Sequence, residues 1–159
     1  MMSQQPTSLP LDLLSSGQVL SISQDCQGWL ILQKPFYAEF VGPGAAVGGS
    51  FDIQCKSIYT IGTVQFDLPA DHGERRKAFQ HRIEYIQRIQ DILLEDAPIS
   101  RADKLIHQLC AWVGLEDARG IPLEIAARLI GVMPKNIEIA WNMHPDLQRS
   151  ATKIQAVLA

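Results

Sequence analysis

The residues with the widest chemical reach in this chain are its four histidines, His72, His81, His107 and His144. None stands in an HExxH-type pattern, the spacing that brings two imidazoles to one helix face around zinc, so surface or packing roles are expected of them and no metal site is predicted. Asp67, Asp71, Glu95, Asp96, Glu116 and Asp117 make no acid–base pair recognisable by spacing. No nucleophile elbow occurs. The glycine-rich "GPGAAVGG" (residues 42–49) lacks the Lys-Ser/Thr of a nucleotide-binding loop and reads as a surface turn. Cys26, Cys55 and Cys110 are odd in number and show no CxxC spacing, which suggests reduced, mostly inert thiols in a cytoplasmic protein without a secretory signal. Trp29, Trp112 and Trp141 lack the basic neighbours of a single-strand-binding platform and are expected to pack. No enzyme and no cofactor is predicted.

One constellation remains. "EIAARLIGVMPKNIEIAW" runs from Glu124 to Trp141 and breaks a helical pattern only at Gly131 and Pro134. Pro122 suits the first turn of one helix. Gly131 suits a tight turn with positive φ, and Pro134 opens the next helix. Ala126, Ala127, Ile130, Val132, Ile137 and Ala140 are apolar where a helix-turn-helix must face inward. This leaves Lys135, Asn136, Glu138 and Asn142 on the outer face, with Ile139 either touching a thymine methyl or buried. Lysine can contact guanine or phosphate and asparagine can read adenine.

The elements that must position this motif follow from patterning. Residues 1–16 read as a flexible arm. Residues 17–72 hold short β-rich runs: "QVLSIS", "GWLILQ", "FYAEFV", "SFDIQC" and "IYTIGTVQF". Their spacing suggests a small antiparallel roll. Residues 73–97 form a long amphipathic helix with Phe79, Ile83, Ile86, Ile89 and Leu93 on one narrow stripe, flanked by Arg82, Glu84, Arg88 and Asp91. That stripe packs on its own β-domain or forms a dimer seam. Residues 98–159 begin with a helix capped by Ser100, with Leu105, Ile106, Leu109, Cys110 and Val113 buried and Gly120 ending it. The fold class is therefore α+β. No apolar run is long enough to span a bilayer.

In its order of parts the chain resembles the cyclic-AMP receptor protein/FNR family of transcription regulators. The likeness is specific in residues 100–143, in "ISRADKLIHQLCAW" and "IPLEIAARLIGVMPKNIEIAW", and only architectural in residues 17–96. It implies a DNA-binding homodimer whose second motif helix enters the major groove. Three departures qualify this. No Gly-Glu and Arg phosphate cassette is present, so cyclic-nucleotide binding is not expected. The guanine-reading arginine of the recognition helix is replaced by the "MPKN" start. The β-wing gives way to a terminal helix in which Leu147, Ala151, Ile154 and Leu158 form a stripe.

The net charge is −3 and unevenly divided. Residues 1–72 carry two basic and six acidic side chains, and residues 73–159 carry twelve and eleven. Any polyanion contact thus belongs to the second half. Lys135, Asn136, Glu138, Ile139, Asn142 and Arg128 are the candidate DNA contacts. Arg101, Lys104, Arg119, Arg149 and Lys153 are the candidate phosphate contacts. The partners expected are double-stranded DNA, a second copy of the chain and a further protein. The alternative is a helix-turn-helix retained as a protein-interaction adaptor.

Overall fold

A computed structural model describes residues 9–147, and the side chains of 11–147. The chain is α+β and divides into two compact units, Met1–Gln87 and Arg88–Ala159. Among the described residues, the first unit holds α1 (Leu9–Ser15) and six short strands: β1 (Val19–Ile22), β2 (Gly28–Gln33), β3 (Ala38–Val41), β4 (Ala46–Gly48), β5 (Ser57–Gly62) and β6 (Phe66–Asp67). They make two antiparallel three-stranded sheets, ordered β4-β1-β6 and β3-β2-β5. In β2, Leu30, Ile31 and Leu32 are all fully buried, so this strand reads as a continuous apolar run rather than an alternation. Leu14, Leu20, Ile22, Leu30, Leu32, Val41, Ala45, Val47 and Cys55 form the core of this unit.

Three local expectations are corrected here. The glycine-rich stretch is not a surface turn. Its centre is β4, which pairs with β1, and Ala45, Ala46 and Val47 are buried. Small side chains let this strand approach closely, and at Gly48 (φ 81°) an added Cβ would lie 2.3 Å from the Gln18 carbonyl oxygen. "SFDIQC" is not a strand but a 3₁₀ turn, Gly49–Phe51, running into a bend. The expected arm contains α1, whose Leu14 is anchored in the core with Leu11 packed against it.

α2 (His72–Leu93) runs through the boundary between the units. The second unit continues with α3 (Pro98–Val113), α4 (Leu115–Gly120), α5 (Leu123–Ile130) and α6 (Pro134–Asn142). α3 packs against α4, α5 and α6, and α5 packs against α6. Leu105, Ile106, Leu109, Ile130, Ile137 and Ala140 are buried to within 1% exposure and form the core of this unit. Ser100 does not cap α3: the helix starts earlier, with Ala97 at the cap and Pro98 in the first turn, where its missing N–H costs nothing. Nor does Gly120 end it. Gly114 (φ 89°) closes α3, and α4 follows at once.

Candidate functional site

The α5–α6 pair is built as its sequence demands. Gly131 stands in the left-handed conformation (φ 63°, ψ 43°), and its neighbour Val132 donates an N–H to the Ala127 carbonyl at 3.2 Å. Pro134 opens α6. The Met133 N–H donates to Asn136 Oδ1 at 3.0 Å, and the Asn136 N–H donates to the Met133 carbonyl at 2.9 Å. Asn136 thus spends its side-chain oxygen on its own helix start, in the manner of a capping box. That oxygen is one of the two groups a bidentate adenine contact requires.

Lys135, Glu138 and Asn142 are exposed, Asn136 and Ile139 are half-buried, and Trp141 is buried. The outward face of α6 carries one cation and one anion. Two large apolar side chains flank it, Met133 (69% exposed) and Met143 (51% exposed).

The candidate phosphate contacts are dispersed. Lys104 is ion-paired with Glu95. The Arg119 guanidinium lies over the Trp141 ring, 5.2 Å from its centre, and helps hold the end of α6. Arg101 and Arg128 are half-buried. Arg149 and Lys153, with the terminal stripe Ala151, Ile154 and Leu158, lie outside the described residues.

On α2 the face turned into the first unit is made by Ala78, Arg82 and Tyr85, one position away from the isoleucine stripe. Phe79 is half-buried with its ring edge-on to Phe51, and Ile86 and Ile89 are half-buried. Ile83 (51% exposed) and Leu93 are exposed.

Sequence patterning put Arg82 on the solvated flank of that helix, and this is corrected: it is 5% exposed. Its guanidinium meets Asp52 in two parallel contacts, Nη1–Oδ2 at 2.6 Å and Nη2–Oδ1 at 2.8 Å, and reaches Glu39 Oε2 at 2.5 Å. Lys34 Nζ stands 3.1 Å from both Glu39 and Asp52 and donates to the Phe51 carbonyl at 2.9 Å. The Gly48 N–H donates to Asp52 Oδ2 at 2.7 Å. Burial pushes both carboxyls up, but hydrogen bonds and charge from Arg82 and Lys34 outweigh it, leaving Glu39 and Asp52 below the usual carboxylate range. Arg82 is held by these carboxylates against its desolvation, and its proton is bound more tightly than usual. With its terminal nitrogens occupied, Arg82 has little left to offer a phosphate group. No spacing rule signalled this cluster, because its members come from four separate segments.

A second grouping was also missed. Asp103 and His107 on α3 meet His144, which follows α6. Only the four-residue interval between Asp103 and His107, one helical turn, was visible in the sequence.

No family model, no curated protein and no solved structure matches this chain. Among the described residues, no helix is long and apolar enough to cross a membrane.

Proposed function

We propose that the chain is a DNA-binding regulator that acts as a homodimer, in the manner of the cyclic-AMP receptor protein/FNR family, and without a cyclic-nucleotide site. One observation carries the reading. An eight-residue helix, a left-handed Gly131 and a Pro-led second helix pack on α3 and leave Lys135, Glu138 and Asn142 facing out. In helix-turn-helix proteins the second helix lies in the major groove with its N-terminal residues on base edges. Lys135 sits in that first turn, where the helix dipole adds to its positive charge.

The exposed Ile83 and Leu93 on α2 support a seam between two copies, which a twofold motif needs to span half-sites about 34 Å apart. The saturated Arg82 supports the absence of a nucleotide-phosphate site.

The test is fluorescence anisotropy on a duplex selected from random sequence and on a scrambled one, each at two salt concentrations. Lys135→Ala is expected to weaken the selected site by about 1–3 kcal/mol if the side chain reads a base. A uniform loss with a shallower salt slope assigns it to phosphate instead. Failure of the wild-type protein to bind either duplex at low salt removes the reading.

A second reading, a protein-interaction adaptor, is favoured by Met133 and Met143. Exposed methionines at both ends of α6 suit an apolar partner better than a groove lined by phosphates. A partner that binds through α6 and is lost on Met133→Lys, with no DNA affinity, would establish it.

A further inference from the structure

We infer that Asp103, His107 and His144 form a binding site for a divalent transition-metal cation of the zinc class, joining α3 to the residue that follows α6. The inference concerns the second unit alone and holds whether or not α6 reads DNA.

The geometry carries it. Each of the three residues offers one ligand atom, and these atoms lie within 4.8 Å of one another. Around a tetrahedral zinc with bonds of about 2.0–2.2 Å, neighbouring ligand atoms sit roughly 3.3 Å apart. Reaching that spacing requires the hydrogen-bonded His144–Asp103 pair to open and the exposed His107 ring to turn inward.

Asp103 and His107 stand one turn apart on α3, so they share a face. The His107 Nδ1–H donates to the Asp103 carbonyl at 2.8 Å. His107 Nδ1 also stands 3.7 Å from Asp103 Oδ1, and the exposed ring can give up its carbonyl bond to present a nitrogen lone pair to a shared ion. His144 Nε2 is hydrogen-bonded to Asp103 Oδ1, so imidazole and carboxylate already converge and a cation takes the place of the shared proton. The His107 and His144 rings meet edge-on with centres 4.7 Å apart.

The donor set selects the class of ion. Two imidazoles and one carboxylate suit zinc and its first-row neighbours, whereas calcium and magnesium prefer all-oxygen shells. Asp103 and His107 border an open cleft of about 490 Å³, which gives an entry path and room for water to complete the coordination. Asp91 lines the same cleft and adds negative charge. Arg88 and Lys104 line it as well, but Lys104 is paired with Glu95.

The experiment uses the full chain with any affinity tag removed. Zinc is titrated against a chromophoric chelator, with dialysis and metal analysis for stoichiometry. One zinc per chain is expected. His144→Ala and Asp103→Asn are expected to weaken binding by more than about 10–100-fold, the loss that even outer-shell changes cause at metal sites. His72→Ala and His81→Ala are expected to bind as the wild type does. Zinc is also expected to raise the melting temperature of the wild type but not of His144→Ala.

A readout on the unmodified protein guards against variants that fail to fold. Imidazole resonances of His107 and His144 are expected to shift with one equivalent of zinc, while those of His72 and His81 stay still. Absence of zinc binding, equal binding by the folded variants, or unmoved His107 and His144 resonances would overturn the site.

Discussion

At the scale of single residues, the commitment with the most to lose is Arg82 against Asp52, both buried and joined by two contacts. Asp52 is fully buried, and Arg82 supplies two of its hydrogen bonds. Removing one partner of such a pair strands a buried charge, so Arg82→Ala is expected to destabilise the first unit by about 3–5 kcal/mol in chemical denaturation. Replacing Arg82 and Asp52 together with Met and Leu removes both charges and should cost much less than either change alone. A double-mutant cycle reads that coupling.

The same residues set an acid limit. Glu39 and Asp52 are depressed in the folded state, so the stability they contribute is complete above the unfolded carboxylate range near pH 4. It is lost as pH falls through their lower folded values. Melting temperature should therefore be flat from about pH 7 to 5 and fall steeply below about pH 4. A flat profile down to pH 2 contradicts the assignment. Cys55 makes a third residue-scale case. Its thiol is buried and pushed up, so it should react slowly with a disulfide reagent at pH 8 until the unit is unfolded.

At the scale of elements, the turn between α5 and α6 depends on Gly131. A Cβ there would meet nothing within 4 Å, so the only penalty of Gly131→Ala is the left-handed backbone. That penalty is about 1–2 kcal/mol. It should lower the melting temperature of the second unit by several degrees without changing its helical content. Gly131→Asn should cost less, because asparagine tolerates that conformation.

This turn was legible in the sequence because one strained position, one proline and six inward apolar residues all point to the same structure. β2 was legible for a similar reason, since "WLIL" is uniformly apolar between turn-rich flanks. β4 was not. Alanine and glycine carry no strand preference, and only the partner strand β1 decides that "AVG" pairs. The start of α3 was misjudged because Ser100 is a better capping type than Ala97, yet Pro98 at the first turn fixed an earlier start. The two clusters of charged and imidazole side chains were invisible for one common reason. Each assembles residues that are distant along the chain, and a sequence displays only the local spacings.

At the scale of the whole molecule, the question is how many chains act together. The faces of α2 divide the labour: Ala78, Arg82 and Tyr85 serve the first unit, and Ile83 and Leu93 remain in solvent. Light scattering at micromolar concentration is expected to give the mass of a dimer. Ile83→Asp should give a monomer with an unchanged circular dichroism spectrum, because half of that side chain touches nothing in its own chain. A wild-type monomer removes the seam. Charge also speaks at this scale. The first seventy-two residues are net acidic and the rest nearly balanced, so, if the proposed function holds, association with DNA should not be fast through long-range attraction.

The cluster of buried Lys34, Asp52 and Arg82 with half-buried Glu39 bears on the order in which the chain is made. Arg82 follows Asp52 by 30 residues. At about 5–20 residues per second, that interval lasts about 1.5–6 s. Throughout it, Glu39 and Asp52 share one cation, Lys34, so closing the sheets leaves one negative charge short of its second partner. The β-strands are complete before residue 72, and the second cation of their charge cluster comes from the helix made after them. A chain halted in that interval lacks Arg82, and its sheets should close less firmly over Asp52.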